Sequence, residues 1–216
     1  MLPCQRHLFD IPREVAYLNA AAWSPLPLAV QEAGRRGVAR KGRPWELDPG
    51  LAAREQERCR AAAAALIGAA AEDVALIPSV SYGVAVAGKV FSPPRGSRVL
   101  VLEDDHSSPV LEWMLRAPAQ GFLLETVPRP AVGGWTAAVE EAIARPGAPV
   151  SLASISSVHW SDGAALEMDR IAAALRAQGA ALLVDATHGA GMMELDVVRL
   201  DPDFLVFPTY RWLLGP

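Results

Sequence analysis

Five short polar groups stand where apolar runs of this sequence end: Ser79-Val80-Ser81, Glu103-Asp104-Asp105-His106, Ser156-Ser157, Asp185-Ala186-Thr187-His188 and Pro208-Thr209-Tyr210-Arg211. Ser79-Val80-Ser81 opens a helical stretch. The free amides of a helix N-terminus, joined by small hydroxyls, hold a phosphate well; the same serines also suit a plain N-cap. Asp185 closes the run Ala181-Leu182-Leu183-Val184. A carboxylate there is costly to desolvate unless a protonated ring nitrogen, a metal or an arginine meets it, or unless it caps the turn that follows. His106 can lie flat on a planar ligand or stand in a surface loop. His188 faces the same cleft as Asp185 or serves as a structural histidine, and His159 and Trp160 carry the same two readings. Gly83, four residues and then Gly88-Lys89-Val90 approach a nucleotide P-loop, but the Ser/Thr for magnesium is missing and Val84-Ala85-Val86-Ala87 is too apolar for a phosphate cradle. No G-x-G-x-x-G supports a dinucleotide site.

These groups need elements that bring them to one place. Apolar runs at 74–78, 98–102, 122–127, 150–158, 181–184 and 204–207 read as strands, several of them continuously apolar, as in a parallel sheet buried on both faces. Helical stretches are expected at about 81–90, 108–117, 134–144 and 167–178. Strand and helix in alternation give an α/β fold with a mostly parallel, doubly wound sheet. In such sheets ligands bind at the carboxyl ends of the strands, where the five polar groups fall. Residues 1–50 differ: prolines at 3, 12, 25, 27, 44 and 49 predict an irregular arm with one short helix near 28–40. A helix at about 51–69 leads into the domain, taken as 51–216.

The 216 residues are 51% hydrophobic and 20% charged, with a net charge of −4, so the chain can bury a core and lacks a basic field for nucleic acid or anionic membrane. The N-terminus has no apolar signal core, and the run Ala61–Ala71 falls short of the roughly 20 residues of a membrane span. Cys4 and Cys59 make no disulfide framework or metal spacing, so a reduced, cytoplasmic setting and no metal are expected.

Four segments taken in order resemble the class V aminotransferase group of fold-type I enzymes that use pyridoxal 5′-phosphate (PLP), a group including cysteine desulfurases, selenocysteine lyase-like and isopenicillin epimerase-like proteins. They are Tyr17-Leu18-Asn19-Ala20-Ala21, Ile77 to Gly83, Leu183 to His188, and Asp203-Phe204-Leu205-Val206 through Trp212-Leu213-Leu214-Gly215-Pro216. The resemblance implies a PLP-dependent transferase-like large domain. Val80 and Ser81 would hold the cofactor phosphate, His106 would stack on the pyridine ring, and Asp185 would pair with the pyridinium nitrogen. His188 would sit near the phenolic oxygen, Tyr210 would adjoin the cofactor, and Asn19 would lie near the substrate entrance. It also implies a small amino-acid substrate, with transamination, epimerisation or C–S lyase chemistry, and a homodimer or a completing chain.

The sequence departs from the family in two ways. Where relatives carry the lysine that holds PLP as a Schiff base, this chain has Arg211, and its only lysines are Lys41 and Lys89. A guanidinium stays protonated (pKa above roughly 12) and has no lone pair for an imine. The reaction is therefore expected to be impaired or altered, with a non-catalytic protein as the alternative. The resemblance further implies a stretch completing the sheet and a C-terminal small domain, both expected beyond residue 216.

Overall fold

The computed structural model describes residues 3–132 and 134–216. Five strands, β1 (Arg98–Leu102), β2 (Leu123–Val127), β3 (Val150–Ser156), β4 (Ala181–Asp185) and β5 (Phe204–Val206), form one sheet in the order β2-β1-β3-β4-β5. Every pairing is parallel. The chain steps from β1 outward to β2, then returns to the other side of β1 for β3, so the order reverses between β1 and β3. That reversal opens the crevice in which ligands of such sheets bind.

Among the described residues, seven α-helices accompany the sheet: α1 (Leu28–Arg40), α2 (Leu51–Ile67), α3 (Val80–Val90), α4 (Ser107–Gln120), α5 (Gly134–Ala144), α6 (Met168–Arg176) and α7 (Val197–Leu200). Side chains of a strand alternate between the two faces, and both faces are covered here. Val99, Val101 and Leu183 pack with Val84, Ala87 and Trp113 of α3 and α4. Leu100, Leu102 and Val184 pack with Val139, Ile143, Ile171 and Leu175 of α5 and α6. In α6 the buried residues Met168, Ile171, Ala172 and Leu175 recur at helical spacing, which presents one apolar stripe to the sheet. A side chain of this size contributes about 1.5–3 kcal/mol when fully buried.

The segment 74–78, expected as a strand, is extended but unpaired. Val74 has φ −106° and ψ 125°, and no ladder runs through the segment. A strand exists only with a ladder partner, and no strand pairs with this segment, although its Ile77 reaches the end of β5 over Gly83. The extended conformation was legible in the residues; the pairing was not. Gly83 secures this corner, because a Cβ there would lie 2.7 Å from both Ile77 Cδ1 and Val206 Cγ1. It lets α3 approach the end of β5.

Residues 3–50 carry α1 as their one α-helix and have no fully buried side chain. Among the described residues, no helix is long and apolar enough to cross a membrane.

Candidate functional site

The carboxyl edge of the sheet gathers most of the expected residues. Ser79 caps α3: its hydroxyl accepts a hydrogen bond from the Tyr82 amide at 3.1 Å. The first intrahelical bond runs from the Gly83 amide to the Ser79 carbonyl, which leaves the amides of Val80 and Ser81 ahead of the ladder. Val80 itself is buried in the core, and only its backbone is offered. The Ser81 hydroxyl meets that of Ser108 in the first turn of α4 at 3.0 Å, and Ser108 lies 3.5 Å from His106 Nδ1. Two helix N-termini and two hydroxyls thus stand side by side, a donor set suited to an anion such as phosphate.

Asp105 builds the floor. Asp104 takes a left-handed turn (φ 54°) after β1, so that Asp105 points back across the sheet edge. Its carboxylate accepts from the His106 amide (2.7 Å), the Ser156 hydroxyl (2.7 Å) and the Ser156 amide (3.2 Å). Ser156 is register partner to Asp185 at the end of β4. Asp105 therefore ties β1 to β3 immediately beside Asp185, and with them fixes His106.

Asp185 is 1% exposed, and one carboxylate oxygen accepts from the Thr187 amide at 2.9 Å. Its other oxygen, Oδ2, is buried without any partner. Burial pushes this carboxyl above the ordinary carboxylate range, against the Thr187 hydrogen bonds; the Asp105 charge raises it further and His106 opposes. An acceptor left bare in an apolar wall costs about 1–3 kcal/mol, and a cationic N–H at that oxygen would remove the cost.

His188 is half-buried, and burial together with the charges of Arg211 and His106 holds its imidazole below the usual histidine range. Asp185, His106, His188 and Arg211 therefore share one electrostatic cluster.

Arg211 fastens the N-terminal arm. Its Nη1 donates to the Ala21 carbonyl at 3.0 Å and to the Ala22 carbonyl at 2.6 Å, across about 190 residues of sequence. The Ser24 hydroxyl adds a bond to the Tyr210 carbonyl at 3.0 Å. The Tyr210 ring is half exposed and lies 5.1 Å from the Arg211 guanidinium, and Arg211 Nε is buried without an acceptor.

Not every expected residue joins the cluster. Asn19 is exposed in the arm and engages only through its carbonyl, which takes the Tyr17 hydroxyl (3.2 Å) and the amides of Ala22 and Trp23; the arm meets the site through residues 21–24 instead. His159 is fully buried, stacked on Trp135 at 4.6 Å, with Nε2 on the Glu103 carbonyl at 3.0 Å and Nδ1 on the Ser161 hydroxyl at 3.2 Å. Its role is structural. Trp160 reaches the site's rim, edge-on to His106 with centroids 6.5 Å apart. Sequence reasoning gave no role to Ser108 and none to Asp105 or Ser156 individually. Asp105 and Ser156 did fall in the strand-end groups, and Ser108 stands in the first turn of the helix that follows one of them.

The chain matches the family model described as aminotransferase class-V over residues 16–216. A kynureninase from Salinispora tropica is 27% identical over 98% of this chain and 54% of its own length. A probable cysteine desulfurase from Methanothermobacter thermautotrophicus is 29% identical, over 96% of this chain and 52% of its own. Among solved structures, apo cysteine desulfurase from Thermococcus onnurineus superposes with a TM-score of 0.82 at 24% identity, over 98% of this chain and 54% of that one. A mutant of C-DES with glycine covalently linked to its PLP cofactor does so with a TM-score of 0.86 at 21% identity, over 99% and 57%. The chain spans about half the length of the curated relatives it matches.

Proposed function

The chain belongs to the class V aminotransferase family, whose model it matches over residues 16–216, and from that premise we propose that it holds PLP without a covalent link to Arg211. In this reading Ser81, Ser108 and the amides of Val80 and Ser81 take the phosphate, His106 covers the ring, and Asp185 receives the protonated ring nitrogen. PLP, when bound, supplies the electron sink for charge developing at an amino acid's Cα. The observation that carries the reading is the bare, buried Asp185 Oδ2, on a carboxyl that feels the charges of His106 and Asp105. A phosphate cradle at the neighbouring helix N-termini supports it.

The same residues define what is lost. Arg211 is a permanent donor with no lone pair, so it can neither link the cofactor nor take a proton from a substrate. His188, held toward its neutral form, is a group of the cluster that can accept one. The protein is thus a PLP binder for a small amino-acid ligand in which lysine-dependent transamination, epimerisation or C–S cleavage is impaired. The reading extends to a partner: a second copy or another chain completes the site.

The test is reduction with borohydride after loading with PLP, followed by peptide mass mapping. Wild-type protein is expected to retain no label at residue 211, and Arg211→Lys is expected to gain one reduced pyridoxyl group there. An Arg211→Lys protein that stays folded yet takes up no label at 211 rejects the placement of the cofactor, as does a label confined to Lys89.

A further inference from the structure

The described residues contain four buried side-chain polar atoms without a partner; two of them, Asp185 Oδ2 and Arg211 Nε, belong to residues whose charges meet around His106 and His188. One is an acceptor and the other a donor. A ligand that satisfies both must present a donor at one end and an acceptor at the other. Resting on the PLP reading above, we propose that Arg211 makes the site selective for the aldehyde form of the cofactor over its amine form, pyridoxamine phosphate.

The two forms share the phosphate, the ring and the ring nitrogen, and differ only in the group at the reactive carbon. In PLP that group is a carbonyl oxygen, which accepts hydrogen bonds. In pyridoxamine phosphate it is an amine that is protonated at neutral pH, a cation with nothing to accept with. Arg211 offers five N–H donors in a fixed plane, no acceptor and a permanent charge. It cannot swing away freely, because Nη1 is committed to the carbonyls of Ala21 (3.0 Å) and Ala22 (2.6 Å), while Nε is left over. The charge already acts inside the cluster, where it adds to burial in disfavouring the protonated form of His188. A lysine at the same position could lose its proton and so tolerate either form; an arginine cannot. Among the described residues no carboxylate forms an ion pair with Arg211, and Asp105 accepts its hydrogen bonds from Ser156 and the His106 amide.

The experiment is equilibrium dialysis of the 216-residue chain at neutral pH against PLP, pyridoxamine phosphate and 4-deoxypyridoxine phosphate, with intact-mass analysis after borohydride to subtract any condensation with surface amines. The deoxy compound has a methyl group at the reactive carbon and so reports phosphate and ring binding alone. The expected order is PLP tightest, the deoxy compound next and pyridoxamine phosphate weakest, with about tenfold or more between first and last, the scale of one charge-assisted hydrogen bond. Arg211→Met and Arg211→Gln remove the charge and are expected to bring the PLP to pyridoxamine phosphate ratio close to one. Whichever folds gives the comparison, and the wild-type ratio decides even without them. If the deoxy compound binds but wild type takes pyridoxamine phosphate as tightly as PLP, the selectivity is wrong and the PLP reading survives. If none of the three binds, both fall. A preference that persists in a folded Arg211→Met assigns the selectivity to another residue and overturns the proposal.

Discussion

Two arginines at opposite ends of the same sheet are built in opposite ways. Arg98 opens β1 at the amino edge, is 7% exposed, and has a partner for each nitrogen: the Ala148 carbonyl on Nε (2.6 Å), Glu125 (2.9 Å) and the Ala142 carbonyl (3.0 Å) on Nη1, and the Arg145 carbonyl on Nη2 (3.2 Å). Glu125 is shared in turn with Arg145 at 2.9 Å. At the carboxyl edge, Arg211 keeps Nε bare and Asp185 keeps Oδ2 bare. A buried polar group without a partner lowers stability, and a ligand would supply what Arg211 Nε and Asp185 Oδ2 lack; the other two such atoms among the described residues, Trp113 Nε1 and Gln120 Oε1, both belong to α4, so the contrast is between the two arginines and not between whole edges. The two histidines repeat the contrast: His159 has both ring nitrogens engaged and is sealed, whereas His106 is half-exposed beside Ser108.

The contrast breaks first at Arg98. Arg98→Met leaves Glu125 and three carbonyls short of a donor and is expected to cost about 3–5 kcal/mol, measured by urea denaturation. Arg211→Met, at the unsaturated end, is expected to cost about 1 kcal/mol in the same experiment, the scale of its hydrogen bonds to the arm, with faster proteolysis of residues 16–24. Equal losses for the two would erase the distinction between them.

Gly83→Ala sharpens the geometry. Its methyl group would press on Ile77 and Val206 at 2.7 Å. Stability should fall by about 1–3 kcal/mol, and α3 should shift enough to weaken phosphate binding.

Asp185 gives the pH dependence. Its carboxyl is raised in the folded protein by burial, so the stability tied to its protonated form is present below the ordinary carboxylate range and is lost as pH rises through the raised value. Asp185→Asn should abolish that loss and make the ligand-free protein more stable at neutral pH, by about 1–2 kcal/mol. Thermal melts from pH 4 to pH 8 check the sign: a variant less stable than wild type across the range would mean that Asp185 is a structural cap. The smallest effect is expected for Ser81→Ala, whose exposed hydroxyl meets only Ser108: stability within about 0.5 kcal/mol of wild type, and PLP affinity reduced severalfold.

What the residues alone reveal follows from what is local. Continuous apolar runs such as Val99-Leu100-Val101 and Leu182-Leu183-Val184 announce strands buried on both faces, and strand-end chemistry then points to Ser81, His106 and Asp185. Segment 74–78 reads as a strand because its residues favour extension, but a ladder is a tertiary fact and none forms. Long-range partners are equally silent in sequence: Asp105 with Ser156 spans 51 positions and Arg211 with Ala21 spans 190. The structural role of His159 emerges only from its burial against Trp135. The resemblance singles out Arg211 at the expected lysine position; its commitment to the arm is not legible in the residues.

In the proposed site the bare carboxylate of Asp185 receives the cofactor's ring nitrogen. Calorimetric titration of PLP into wild type and Asp185→Asn at one neutral pH, with both proteins verified as folded, tests it most directly. Measurable binding to wild type is expected, with an affinity about tenfold or more lower in the variant, the scale of a charge-assisted hydrogen bond. Equal affinity in the two proteins would contradict it.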